Sequence, residues 1–271
     1  MLVAAAVCPC PPVLVPEVAA GAAPELDAAR AACADALGVL AAARPDLLVV
    51  VGPAEQPGRG VFPQGSPGTF RGFGAEVDVR LGSAEASGGV EVSGSAETSG
   101  SAEVSGSAEA SGRAAAGGRD AVGERELPPS LAVAAWLLER TGWADAPIEG
   151  LGVGEPLEAE RCVGTGREIA GRAARVAMLV MGDASACRTL KAPGYLDERA
   201  APFDAEAARA LGAADIAAIK ALDADLAYQL KAAGRAPWQV LAGAAEDADL
   251  AGALLYDDAP YGVCYLVATW S

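Results

Sequence analysis

The chain has 271 residues, a formal charge of −16 at pH 7 and no histidine. Its acidity argues against nucleic acid or an anionic membrane surface as a partner, because both attract basic patches. The absence of imidazole excludes Ser-His-Asp and Cys-His catalysis, iron sites built from two histidines and a carboxylate, and Cys₂His₂ zinc sites.

The amino-terminal segment predicts a β-α-β unit. Residues 2–7 form a continuous apolar run, as in a central strand that is covered on both faces. We interpret this run as a strand and not as a signal peptide, since the first basic residue is Arg30. A helix is predicted over residues 24–43, where a proline and two acids favour a helix start. A second buried strand is predicted over residues 46–51, ending at Gly52-Pro53.

Residues 83–112 repeat a hexapeptide of the form Ser-Ala-Glu-x-Ser-Gly, with one degenerate unit. A β-solenoid built from such units would have a thin core of small side chains and a glutamate in every turn. Burial of so little apolar surface hardly offsets the entropy lost when the chain is ordered. We therefore predict one domain over residues 1–271, interrupted by a low-complexity, acidic, disordered insertion at about residues 83–126.

The remaining chain alternates predicted helices and strands. The predicted helices span residues 130–141, 157–174 and 237–245, with a helical stretch over 202–233 that is broken near Gly212 and residues 222–223. The predicted strands span Ile148–Val153, Val176–Met181 and a closing antiparallel hairpin of 254–257 and 263–268. This alternation is typical of a single three-layer α/β/α domain with a mixed central sheet.

No segment of the sequence offers the roughly 20 uninterrupted apolar residues of a transmembrane helix. The six cysteines are scattered too widely for a disulfide framework, which indicates reduced and buried thiols. We therefore expect a cytoplasmic protein without a membrane partner.

Three stretches carry information about function, and the first of them follows the end of a predicted strand, where ligands bind in open α/β sheets. The first is Cys8-Pro9-Cys10-Pro11-Pro12, directly after the first strand. The second is Met181-Gly182-Asp183-Ala184-Ser185-Ala186-Cys187-Arg188, followed by Ala192-Pro193-Gly194-Tyr195 and Pro202-Phe203-Asp204. The third runs from Trp238-Gln239-Val240-Leu241-Ala242-Gly243-Ala244 to Tyr256-Asp257-Asp258-Ala259-Pro260-Tyr261-Gly262-Val263.

In this order and spacing, the three stretches resemble the class III extradiol ring-cleavage dioxygenases of the B type. Related sequences usually show Pro-His-Pro-Pro after the first strand, Gly-Asp-x-Ser-His-Arg after a later strand, and Tyr-Glu-x-Pro-Phe-Gly-Val-Gly-Tyr near the end. The resemblance covers nearly the whole chain outside residues 58–126. It implies the three-layer fold of that family, Fe(II) held by two histidines and a glutamate, and oxidative opening of catecholic rings.

The positions that the resemblance assigns to the iron site hold other residues in this chain. The first ligand position matches Cys10, and the second falls at Gly52-Pro53-Ala54, which offers no donor side chain. The catalytic histidine position matches Ala186, with Cys187 beside it. The carboxylate position should fall within residues 231–235, which contain no acid. We therefore expect no iron cofactor bound through imidazole, although Fe(II) is the cofactor that the resemblance implies.

Three functions stay open at this point. In the first, a non-catalytic member of the family binds a small aromatic or phenolic molecule in a pocket that includes Cys10, Pro53, Asp183, Ser185, Ala186 and Tyr261. In the second, an active oxidoreductase holds a metal in a rebuilt site formed by Cys8, Cys10 and Asp257. In the third, the chain is a structural component of a homo- or hetero-oligomer.

Simpler structural roles compete with these site assignments. Asp183 or Ser185 could cap a short helical turn, and Asp257 could make an Asx-type turn. Cys8 and Cys10 could be small buried hydrophobic residues, because free cysteine often has that role.

Overall fold

The structure, a computed structural model, describes residues 1–82 and 125–271. The insertion predicted at about residues 83–126 therefore lies outside the described residues, except for Arg125 and Glu126.

A seven-stranded mixed sheet forms the centre of the described structure, with the strand order β3-β6-β2-β7-β1-β9-β8. Strands β6, β2, β7 and β1 are parallel neighbours, whereas β3 and β9 pair antiparallel with β6 and β1. A separate antiparallel ribbon joins β4 to β5. The strands are β1 (Leu2–Cys8), β2 (Leu47–Pro53), β3 (Gly60–Phe62), β4 (Pro67–Thr69), β5 (Asp78–Arg80), β6 (Ile148–Val153), β7 (Val176–Met181), β8 (Gly252–Asp258) and β9 (Tyr265–Trp270).

Helices cover both faces of this sheet and bury an apolar core on each. Along β1, Ala5 and Val7 belong to one core, whereas Ala6 and Cys8 belong to the other. Helices α2 and α3 contribute to the core that contains Cys8, and α4, α5 and α8 contribute to the opposite core. The helices are α1 (Pro16–Ala19), α2 (Asp27–Ala42), α3 (Pro129–Thr141), α4 (Ala159–Ala170), α5 (Ala200–Gly212), α6 (Ile216–Lys220), α7 (Ala224–Gln229) and α8 (Arg235–Ala244).

The predicted three-layer α/β/α arrangement with a mixed sheet is confirmed. Strands β6 and β7 have the predicted bounds, and the closing hairpin is present as β8 and β9. The predicted breaks in the helical stretch over 202–233 arise where Asp215 and Asp223 accept hydrogen bonds from Ala218 N–H and Leu226 N–H. Such side-chain caps start new helices, so α5, α6 and α7 are separate. Within the described ranges, no helix is long and apolar enough to cross a membrane.

Several predicted boundaries were wrong. Helix α2 begins at Asp27, because the predicted start at Pro24 lies in a 3₁₀ segment over Ala20–Leu26. Helix α4 ends at Ala170 instead of 174, and α8 begins two residues early, at Arg235. Strands β3, β4 and β5 were not predicted, since three residues are too few for an alternating apolar pattern.

Helices α4 and α8 pack so closely that glycine is required at their contact. A Cβ on Gly166 would overlap the carbonyl oxygen of Val240, and a Cβ on Gly243 would overlap that of Val163. Elsewhere on α4, Gly164 has no heavy atom within 4 Å of the position that a Cβ would occupy. Gly166 and Gly164 therefore lie on the same helix, but only Gly164 has room for a Cβ.

This pair makes a matched stability test. We expect Gly166→Ala to lower the free energy of unfolding by about 1–3 kcal/mol, because overpacking pushes the two backbones apart. Gly164→Ala should be neutral or stabilising by up to about 1 kcal/mol, since alanine has the higher helix propensity. Urea denaturation of both variants measures this difference. Equal effects of the two substitutions would contradict the described α4–α8 contact.

Candidate functional site

A cavity of about 870 Å³ lies at the carboxyl ends of β1, β2 and β6. We call it the strand-end cavity. Two residues of the predicted pocket, Cys10 and Pro53, line it. Its wall also includes apolar side chains and one acid that follows β6, among them Phe73, Leu127 and Glu155. The volume falls within the range of cavities that hold small organic molecules.

Asp183 lies just beyond β7 and supports the segment that carries Cys10. Its Oδ1 accepts a hydrogen bond of 2.9 Å from the N–H of Cys10, and its carbonyl accepts one of 2.8 Å from Gly234 N–H. A Cβ on Gly182 would overlap Gly234, so the start of α8 approaches the end of β7 closely. Burial raises the pKa of Asp183 to about 7, although the hydrogen bond from Cys10 opposes that shift.

Ser185 is directed away from the strand-end cavity and towards Asp204. Both residues are buried, and the N–H and Oγ of Ser185 donate to the two Asp204 carboxylate oxygens at 2.8 and 2.7 Å. Arg188 Nη1 also contacts Asp204, at 3.1 Å. The Ser185 hydroxyl therefore has a partner within the fold. Ala186, which follows it, donates its N–H to the carbonyl of Leu230 and does not line the cavity.

Tyrosines extend the polar environment of Asp183 towards β9. Burial raises the pKa of Tyr265 well above its usual range, and the nearby Asp183 and Tyr261 add to this shift. The pKa of Tyr261 is raised first by burial and then by Glu25. Tyr261 was a predicted pocket residue, whereas Tyr265 was not. Alternation along β9 could have indicated it, since Tyr265 and Val267 share the core that contains Cys10.

The structure does not bring Cys8, Cys10 and Asp257 together. Cys8 lies beside Cys33 of α2, and this contact together with burial holds the pKa of Cys8 well above its usual value. Asp257 accepts a hydrogen bond from Cys264 Sγ at 3.7 Å, and Cys264 belongs to the opposite core. Among residues 1–82 and 125–271, no group of three or more His, Cys, Asp or Glu side chains is placed to hold a metal.

A buried arginine fixes the loop that follows β6. Arg235, the first residue of α8, is 2% exposed. Its Nη1 donates to the Leu157 carbonyl at 2.7 Å and to Gln239 Oε1 at 3.1 Å, and its Nη2 donates to the Glu155 carbonyl. Its Nε lies 3.3 Å from Glu155 Oε1. The guanidinium thus joins the strand-end loop to α8 and forms an ion pair with the Glu155 carboxylate.

The Glu155 carboxylate has no hydrogen-bond partner in the part of the chain that the structure describes. Both of its oxygens are buried, and the ion pair with Arg235 does not have hydrogen-bond geometry. Burial raises the pKa of Glu155 to about 7, and the charge of Arg235 only partly offsets this effect. Glu155 was not predicted as a site residue, although its place directly after β6 is a signal that could have indicated it.

The residues at the positions of the implied iron site do not fit Fe(II). Burial and the nearby Asp183 keep the pKa of the Cys10 thiol well above its usual value, whereas metals bind the thiolate. Pro53 and Ala186 carry no donor atom. Where the resemblance places a carboxylate, Arg235 brings a buried cation that would repel a metal ion. No chemical step through iron follows from this arrangement.

Comparisons with known proteins add little to the geometry. No family model and no curated protein matches the chain. Among solved structures, the chain is similar to the crystal structure of the uncharacterized protein JW3007 from Escherichia coli K12. The match has a TM-score of 0.47 and 12% sequence identity over 99% of each chain. A likeness at this level does not bear on the function of the cavity.

The raised pKa of Asp183 predicts a pH-dependent loss of stability. A carboxyl with a pKa near 7 in the folded chain and near 4 in the unfolded chain favours folding at low pH, and this contribution disappears as pH rises to about 7. Asp183→Asn should therefore reduce the fall in unfolding free energy between pH 5 and pH 8 by on the order of 2 kcal/mol.

Denaturant titrations at the two pH values measure this change, with Asp35→Asn on the exposed side of α2 as the control. An Asp183→Asn protein with the same pH dependence as the unmodified chain would show that this carboxyl is not destabilised by burial.

Proposed function

We propose that the chain is a non-catalytic relative of the class III extradiol ring-cleavage dioxygenases, which binds a small aromatic molecule in the strand-end cavity. The observation that carries this proposal is a cavity of about 870 Å³ at the sheet edge where such folds bind ligands. Cys10 and Pro53, which match family site positions, line that cavity.

The lining of the cavity supports an aromatic ligand. Phe73 is 43% exposed and offers a ring face that a ligand ring could cover. Pro57, Leu127 and Pro128 add further apolar surface. Glu155 supplies two buried carboxylate oxygens beside this surface, and such a combination of apolar walls and few polar groups is typical of small-molecule sites.

The chemistry of the side chains supports binding without iron-dependent ring cleavage. The chain contains no histidine, so the two imidazole ligands and the imidazole acid/base of the family have no counterpart. The alternative metal site is less well supported, because Cys8 and Asp257 lie on opposite faces of the sheet. The proposal therefore assigns the cavity to recognition.

A cavity-filling substitution tests this proposal. Gly72 lines the strand-end cavity and has open space around the position of a Cβ, so Gly72→Trp should fill the cavity without disturbing the fold. With catechol as the probe, we expect saturable binding to the unmodified chain and at least about a tenfold loss of affinity in Gly72→Trp, or roughly 1.4 kcal/mol.

The matched control is Gly21→Trp, because Gly21 is exposed, has equally open surroundings and does not line this cavity. Calorimetric titration of the three proteins provides the affinities. No saturable binding to the unmodified chain, or equal affinities in all three proteins, would contradict the proposed function.

A further inference from the structure

The Glu155 carboxylate indicates which class of ligand the strand-end cavity would bind. Its two buried oxygens can accept several hydrogen bonds, but the described residues supply none. An unsatisfied buried acceptor costs about 1–3 kcal/mol, which a ligand with suitable donors would recover. Glu155 also lines a second cavity of about 430 Å³, so its carboxylate lies in the wall between two openings.

Two of the cations near the cavity, Arg235 and Arg125, donate hydrogen bonds within the chain. Both Nη groups of Arg235 donate to protein oxygens. Arg125 donates to the carbonyls of Arg59 and Val61 at 3.0 and 2.8 Å and stacks 3.9 Å above the Phe62 ring. Around Glu155, the two carboxylate oxygens and the Nε of Arg235 have no hydrogen-bond partner among the described residues, so a ligand that contacts the oxygens must supply donors.

Acidic residues outnumber arginines in the lining of the cavity. Glu55 and Glu126 line the cavity in exposed positions, and the chain as a whole carries a charge of −16. Arg59 and Arg125 are the opposing charges in the lining. The guanidinium of Arg59 packs against Gly154, and its Nε lies 3.4 Å from the Ala54 carbonyl. A cationic ligand would be attracted to this surface more strongly than an anionic one.

Resting on the proposed function, we infer that the strand-end cavity selects arylalkylamines, whose ammonium group donates hydrogen bonds to the Glu155 carboxylate while the ring covers Phe73. The ammonium group donates hydrogen bonds to the unsatisfied Glu155 oxygens, and the ring packs against the apolar wall. Arg235 acts as a positioning residue, since it holds the loop that carries Glu155.

Other titratable and charged groups face Glu155 from the elements around it. Arg235 contacts it from α8, and Cys162 of α4 interacts electrostatically with both Glu155 and Arg235. Arg59 packs on the adjacent Gly154, and Lys231 shares the second cavity. Burial raises the pKa of Cys162 to about 11 and the pKa of Glu155 to about 7, so Glu155 is the group expected to change charge around neutral pH.

This assignment predicts the direction of a pH effect. Below about pH 7 the empty site carries a protonated Glu155, and an ammonium ligand must displace that proton. Affinity for the amine should therefore rise about tenfold per pH unit up to pH 7 and then level off, because an alkylammonium keeps its charge to about pH 10. A neutral ligand of the same shape should show a much weaker pH dependence.

Three probes of one size separate the ligand classes: benzylamine, benzyl alcohol and benzoate. At pH 8 the unmodified chain should bind benzylamine at least about tenfold more tightly than benzyl alcohol, and this advantage should shrink at pH 6. Glu155→Gln should abolish both the advantage and its pH dependence. Glu158→Gln, an exposed substitution three residues away, should preserve both.

The outcomes distinguish this inference from the proposed function. Equal binding of benzylamine and benzyl alcohol would overturn the amine assignment but leave an aromatic-binding cavity in place. Tighter binding of benzoate would also overturn it and would assign the polar contact to Arg59. If neither these probes nor catechol bind, both the inference and the proposed function fail. If Glu155→Gln does not fold, the pH dependence of benzylamine binding to the unmodified chain still tests the inference.

Discussion

The buried guanidinium of Arg235 is the interaction on which the strand-end cavity depends. It binds the carbonyls of Glu155 and Leu157 and the side chain of Gln239, one turn further along α8. Gln239 Nε2 in turn lies within 3.4 Å of three carbonyls in the segment 219–222. A buried charge persists only when it is paired and hydrogen-bonded, and this network meets that condition for the two Nη groups of Arg235, whose Nε faces Glu155 without a hydrogen bond. It leaves the Glu155 carboxylate buried without hydrogen bonds.

In this chain, which has no histidine, two buried carboxyls titrate near neutrality. Burial raises the pKa values of Asp183 and Glu155 to about 7, the range in which imidazole normally serves as the titrating group. The two carboxyls have different partners, since Asp183 accepts from the backbone N–H of Cys10 while Glu155 has no donor among the described residues. Asp183 therefore supports the fold, whereas the buried Glu155 carboxylate keeps acceptor capacity that no described residue uses.

The sequence predicted the parts of the molecule that follow from local apolar patterns. Strands β6 and β7 are continuous apolar or alternating runs, and their bounds were predicted to the residue. Cys10 and Pro53 both line the strand-end cavity, because both follow strands that end at one edge of the sheet. Strands β3 to β5 were missed since each has only three residues, and β3 also depends on a partner distant in sequence.

The polar part of the site was harder to predict. Glu155 and Arg235 are 80 residues apart, and only the packing of α8 on the loop after β6 reveals that both are withdrawn from water. Ser185 was expected to line a pocket. Its hydroxyl instead donates a hydrogen bond to Asp204, which lies on α5. Asp257 was grouped with Cys8 by chemistry, whereas the pleat of the sheet directs it towards Cys264.

The proposed recognition of a ligand without a resident metal is tested most directly by the metal content of the protein. The chain should be purified without a histidine tag, which would itself supply ligands, and iron and zinc measured per chain together with oxygen uptake in the presence of catechol. We expect far less than one equivalent of either metal and no catechol-dependent oxygen uptake. One tightly bound iron per chain with catechol-dependent oxygen consumption would contradict recognition without a metal.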